Sequence, residues 1–173
     1  PEARRLPESA ELAEAVMGRA KRGRAHVHAV ARDSKSIPPP LLYDLSELQR
    51  DANRLFGMTA SATLQTLQAL YERHKLVSYP RTDSRHLSTE VATTLPAIVE
   101  TIAPSYPGLV AEGSGSRPLG RRFVDDTKVG DHHAIVPTTA RPTGTLTTPE
   151  RNLYDLVCRR LLAAYHDDHV LAT

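Results

Sequence analysis

Apolar positions along the chain fall into runs of helical spacing, separated by breaks that carry proline and glycine. Over Glu8–Ala20, Leu12, Ala15, Val16 and Ala20 recur at short intervals and predict an amphipathic helix that stops at Gly23. His26–Arg32 roughly alternates and predicts a strand. Ser36-Ile-Pro-Pro-Pro40 reads as a stiff extended linker, because proline fixes φ and disfavours helix just before it. Asp44, with Glu47 three positions on, has nearly the spacing of a capping box. The helix it opens carries Leu45, Leu48, Ala52, Leu55 and Phe56 and ends at Gly57. A second helix starts near Thr59 or Ser61, carries Leu64, Leu67, Leu70 and Tyr71, and runs to about His74.

Lys75–Tyr79 then predicts a short strand directly after two helices joined by a brief connection. That order suits helix-turn-helix geometry and a winged-helix-like domain. Ser88 can cap a further helix with Glu90 in its first turn. Pro96 should break that helix and open a second piece to Ile102, with Pro104 and Pro107 ending it. Ala111–Gly120 reads as a flexible loop, and His133–Val136 as a short strand closed by Pro137. Thr138–Thr147 is a second linker. Thr148-Pro149-Glu150 opens a helix with Leu153, Tyr154, Leu156, Val157, Leu161 and Leu162 on its apolar face. Val170–Thr173 resembles the start of a strand, and both chain ends read as cuts in a longer protein. No internal repeat is visible. The expected class is α+β, mainly α.

Composition adds modest constraints. Aromatic residues are 5% and Trp is absent, so the core must rest on Leu, Val, Ala and Ile. The net charge of +2 is a weak pointer to nucleic acid. Arg4, Arg5, Arg19, Lys21, Arg22 and Arg24 crowd the start. Arg81, Arg85, Arg117, Arg121, Arg122 and Lys128 occupy the middle. Both groups fit either a solvated surface or a phosphate-binding one. The lone cysteine, Cys158, lies in a helical apolar pattern and reads as a buried, reduced thiol. No apolar run approaches the ~20 residues that span a membrane. A cytoplasmic, nucleoid-associated setting is expected.

The segment Leu76-Val-Ser-Tyr-Pro-Arg-Thr-Asp-Ser-Arg-His86 concentrates the candidate chemistry. Tyr79 and Arg81 lie two apart, so on extended backbone both leave on one face. A phenol can attack a phosphodiester, and a guanidinium can hold the phosphate through two hydrogen bonds. Tyr79 packing its ring on the core, and Arg81 as an ordinary surface arginine, are the structural alternatives. Asp131-His132-His133 does not suit a metal, because neighbours on a strand face opposite ways and partner ligands are missing.

Three blocks carry a family resemblance: Pro38–Asn53, Leu70–Leu87 and Lys128-Val-Gly-Asp-His-His-Ala-Ile-Val-Pro-Thr138. Glu150–Val157 supports it more weakly. In this order they resemble the central part of a type IA DNA topoisomerase, closest in wording to the topoisomerase III branch. The resemblance implies that Tyr79 attacks single-stranded DNA, forms a transient 5′-phosphotyrosine and allows strand passage and resealing. It implies phosphate binding by Arg81 and DNA contact by His132. Thr82 and Asp83 could touch DNA, orient Arg81 or cap a turn. Gln68 matches the helix before the nucleophile, as do Tyr71 and Glu72, and packing roles remain open for them. Arg85, Arg121 and Lys128 are candidate phosphate contacts.

The resemblance also implies a winged-helix-like tyrosine domain over 39–138, inserted into an arch domain formed by 1–38 and 139–173. Mg²⁺ is expected on a Toprim domain upstream, since this chain lacks its Asp-x-Asp pattern; metal ligands within the chain are expected to be none. The remaining domains of the same polypeptide are then partners, and this chain alone is expected to be inactive. A winged-helix DNA-binding module with a structural Tyr79 is the alternative.

Overall fold

The computed structural model describes residues 9–24 and 26–172; Arg4, Arg5, Glu8 and Thr173 lie outside the described residues. The chain divides into two compact units, 1–35 with 172–173 and 36–171. The described residues are mainly helical, with one two-stranded sheet, so the α+β class holds.

In the smaller unit, helix α1 spans Ala10–Arg22. The Ser9 side chain caps it by accepting from the Leu12 N–H, and the Gly23 N–H closes it on the Arg19 carbonyl. Arg19, Lys21 and Arg22 sit in the last turn, where the helix dipole favours cations. No α1 residue is buried, and Leu12, Val16 and Met17 are all exposed. The strand expected over His26–Arg32 does not form. Val27 and Val30 stand 82% and 75% exposed, so the alternation has no layer to bury against. Strand β1 is instead Ser34–Ile37, paired with β2, His169–Ala172. Thus Ser36 and Ile37, read as linker, belong to a strand.

In the larger unit, α2 spans Leu45–Phe56 and α3 spans Ala60–Glu72. Asp44 and Thr59 cap them through side-chain oxygens. Gly57 adopts φ +67° between them, a left-handed turn that a side chain would resist. Ser88 caps the short α4, Thr89–Ala92, and Pro96 lies in the first turn of α5, Leu95–Ile102. Helix α6, Thr148–Ala163, begins one residue earlier than a Thr148 N-cap with Pro149 at the first helical position would place it. Its N-cap is Thr147, which forms a full capping box with Glu150.

Two apolar clusters fill this unit. One holds Ile98, Val99 and Ile102 of α5 with Leu161, Leu162 and Tyr165. The other holds Leu48 and Ala52 of α2, Leu67 and Leu70 of α3, and Leu153 and Val157 of α6. Tyr154 packs against both. Cys158 is fully buried, and burial pushes its thiol up to about 12, which keeps it protonated and inert. Asp51 accepts from Tyr43 and Arg160, each at 2.7 Å, and the Arg160 guanidinium lies 3.8 Å above the Tyr43 ring. This buried set ties α2 to α6.

The two expected strands at Lys75–Tyr79 and His133–Val136 shrink to isolated antiparallel bridges, Val77 with Pro137 and Tyr43 with Ile135. Pro80 and Pro137 lack the N–H that a continuing ladder needs. Ser78 replaces a ladder bond: its hydroxyl accepts from the Val136 N–H at 3.0 Å and donates to the Ala134 carbonyl at 3.1 Å. Backbone bonds Ser78 N–H to Val136 O and Thr138 N–H to Leu76 O complete the join. The His132–Thr138 segment is thereby fastened to the chain just before Tyr79, and the Thr82 hydroxyl bonds its His132 carbonyl just after.

Candidate active site at Tyr79

Helix α3 delivers the chain to Tyr79 through a tight turn. The Leu76 N–H bonds back to the Leu70 carbonyl at 2.9 Å, and Lys75 takes φ +58° between them. An ion-paired group holds this turn. Glu150 accepts from Arg73 and lies 3.1 Å from His74 Nε2, so the end of α3 is joined to the start of α6. The Thr147 backbone N–H, above all, holds the Glu150 carboxyl down at about 2, with His74 and Arg73 adding to the effect against partial desolvation.

Tyr79 is half-buried and lies between two rings. Tyr71, on the last turn of α3, meets it edge-on at 5.5 Å between centroids and 81°. His132 lies 4.2 Å away, tilted by 43°. These contacts fix the ring's direction while no described residue hydrogen-bonds its hydroxyl. Arg81 and Asp83 are exposed, and neither side chain has an ion pair or hydrogen bond with another described residue. The predicted same-face partners, Tyr79 and Arg81, therefore both keep their polar ends available.

Thr82 behaves differently. It is buried; its hydroxyl donates to the His132 carbonyl at 3.0 Å and accepts from the Ser84 N–H at 3.1 Å. Its carbonyl accepts from the Leu45 N–H at 3.0 Å, which anchors the start of α2. Arg85 is likewise engaged: Nε donates to the Leu42 carbonyl at 3.0 Å, and Nη1 lies 3.7 Å from Glu47. Gln68 sits half-buried one turn before Tyr71, on the same helix side by spacing. The charged ends of Arg121 and Lys128 lie at 3.5 and 3.7 Å from Asp125. The hydrogen bond from the Thr127 hydroxyl, first among its causes, holds the Asp125 carboxyl below its ordinary range.

Sequence reasoning missed two contributors. Ser78 pins the tyrosine segment, and nothing in its local pattern signals that. Tyr71, noted only as a match to the preceding helix, supports the Tyr79 ring directly. No group of three or more His, Cys, Asp or Glu among the described residues could hold a metal. None of their helices is long and apolar enough to cross a membrane.

The family model described as DNA topoisomerase matches residues 3–173. The chain belongs to the DNA topoisomerase family. It is similar to DNA topoisomerase 3 of Bacillus cereus, 44% identical over 142 residues, covering 80% of this chain and 20% of that protein. It is also similar to DNA topoisomerase 3 of Bacillus licheniformis, 42% identical over 158 residues, covering 90% and 21%. The chain thus spans about a fifth of the length of these relatives. Among solved structures, full-length topoisomerase I from Thermotoga maritima shares the fold, with a TM-score of 0.53 and 22% identity over 82% of this chain and 23% of that one.

Proposed function

We propose that this chain is the tyrosine-bearing central part of a type IA DNA topoisomerase of the topoisomerase III kind. The carrying observation is the Tyr79 phenol, held by Tyr71 and His132 with no described residue hydrogen-bonded to its oxygen, and the Arg81 guanidinium two residues away, unpaired with any other described residue. In the reaction, Tyr79 Oη forms a bond to a backbone phosphorus of single-stranded DNA. The bond from phosphorus to the 3′ oxygen breaks, the phenol gives up its proton, and the released 3′ oxygen takes one up. The product is a 5′-phosphotyrosine. Its ester conserves the phosphodiester's energy, so attack by the 3′ hydroxyl reverses the step without ATP.

Arg81 would grip the phosphate and offset charge that grows in the transition state. His132 would add a hydrogen bond from its exposed ring to the same strand. Asp83, exposed beside Arg81, would face the DNA, whereas Thr82 and Arg85 support the site through the bonds described above. Gln68 would contact DNA from the helix side of Tyr71. Two packed helices followed by the pinned 76–79 segment support a winged-helix-like reading.

In the proposed division, 39–138 form the tyrosine domain, and 1–38 with 139–173 form two portions of an arch. The packing of α6 on α3 bears on the second boundary. A boundary at 139 makes α6 the element by which the arch docks on the tyrosine domain. The residues described here do not fit Mg²⁺: Asp125 is engaged by Thr127, and Asp126 by Thr89. We place the ion on a Toprim domain of the same polypeptide. This chain alone is then expected to be inactive.

The test is covalent trapping in the parent polypeptide with Mg²⁺ and end-labelled single-stranded DNA. A denaturation-resistant adduct that keeps only the 3′ label, and disappears in Tyr79→Phe, is the expected result. Binding without any adduct would instead establish a winged-helix DNA-binding module with a structural tyrosine.

A further inference from the structure

Three further cations, Arg121, Arg122 and Lys128, gather around one basin. His86, Arg121, Arg122 and Lys128 rim an open basin of about 550 Å³, with Asp125 and Thr127 completing its wall. Arg121 and Lys128 are 84% and 56% exposed at their side chains, so their charged ends are available to a ligand. Arg122 is oriented by donating from Nε and Nη2 to the Pro39 carbonyl, at 3.3 and 3.1 Å. A single carboxylate, Asp125, stands among three permanent cations. The basin therefore keeps an excess of positive charge while its arginines and lysine are held near one another.

The basin hangs on the same paired segments as the tyrosine. Thr82 bonds the His132 carbonyl beside Tyr79, and Ser84 bonds the Lys128 carbonyl at 2.9 Å beside the basin. Thr82 and Ser84 are two residues apart, a reach of about 7 Å in extended chain. The tyrosine segment and the basin are thus fastened to one short stretch of chain. The Ser84 hydroxyl and a 5%-exposed side-chain environment make that spacing rigid.

We propose that this basin is a second phosphate-binding subsite for the same single strand, separate from the scissile phosphate, and that Asp125 limits how tightly it holds. It contacts backbone and reads no bases, so it sets affinity and register but not sequence preference. The inference rests on the Tyr79 reading for the direction of the strand. Its charge geometry stands independently. A restrained grip suits a strand that must be released after each cycle, since a tighter second anchor would slow departure.

The experiment uses the parent polypeptide carrying Tyr79→Phe, so that binding is measured without cleavage, and single-stranded oligonucleotides of graded length. Arg121→Ala with Lys128→Ala removes two contacts. The slope of log affinity against log salt should flatten by about 1.4 on long oligonucleotides, at about 0.7 per contact. On oligonucleotides trimmed too short to reach the basin, the double variant should match its parent. Asp125→Asn keeps an acceptor for Thr127 and should raise affinity on the long oligonucleotides only. As a control for net charge, Arg54→Ala with Arg159→Ala should leave the slope unchanged. A slope that does not respond to the basin substitutions, or a loss that is equal at every length, would overturn the subsite. Failure of the Tyr79 reading shows separately, as absence of adduct in the unsubstituted parent.

Discussion

From Ser78 to Ser84 the side chains divide into two sets on alternate positions. Ser78, Pro80, Thr82 and Ser84 turn inward, and the three hydroxyls among them are hydrogen-bonded to the 132–136 and 128 main chain. Tyr79, Arg81 and Asp83 turn outward and keep their polar ends free of other described residues. The inward set fixes the backbone, so the outward set can remain unsatisfied without the segment losing its shape. The fixed backbone sets where the outward side chains start, whether or not a ligand is bound. Arg85 breaks the alternation, since it is outward by position yet bonded to Leu42 and close to Glu47.

The strongest way to sharpen this contrast is Tyr79→Phe in the parent. Adduct formation should vanish, while urea unfolding changes by no more than ~0.5 kcal/mol, because the lost hydroxyl has no partner among the described residues. Next is Arg81→Ala, expected to slow cleavage by ~10²–10³-fold, the scale for removing one transition-state donor. Stability should be unchanged, and Arg81→Lys should restore part of the rate. The inward set should show the reverse. Thr82→Val strands the His132 carbonyl and the Ser84 N–H and should cost about 1–3 kcal/mol in urea unfolding. A Thr82→Val variant that is as stable as its parent would break the comparison.

A smaller effect comes with acid. The Glu150 carboxyl sits at about 2 in the folded chain against an ordinary 4.5. Its contribution is therefore complete above about 4.5 and disappears as pH falls towards about 2. Glu150→Gln should flatten the pH dependence of stability in that window, as followed by circular dichroism. Smallest of all, Asp83→Asn should leave stability within ~0.5 kcal/mol, because its carboxylate touches no described residue.

Much of the helical part was legible. Asp44, Gly57, Thr59, Ser88 and Pro96 each act at the helix end where their chemistry places them. Caps are local, and their signals lie within three or four residues of the effect. Strands were read less well. His26–Arg32 has the alternation but no layer to cover it, and β1 forms further on, where β2 supplies a partner. The stretches around Val77 and Ile135 pair with each other's neighbourhood, yet proline and the Ser78 hydroxyl keep them as bridges.

The candidate site divides in the same way. Tyr79 and Arg81 could be placed on one edge because period-two geometry is a property of the local backbone, whereas Thr82 and Asp83 stayed open between structural and DNA-facing roles. By itself the sequence determined the helices, their ends, and the phenol and guanidinium that share that edge. Only the tertiary structure decided that Tyr71 and His132 flank the phenol, and that Thr82 and Arg85 bond the His132 and Leu42 carbonyls. It also decided that Arg122 reaches the distant Pro39 carbonyl beside the Arg121, Asp125 and Lys128 group. Those outcomes depend on which segments meet in space, and each such meeting follows from the burial and hydrogen bonding of the whole unit, which no short window of sequence contains.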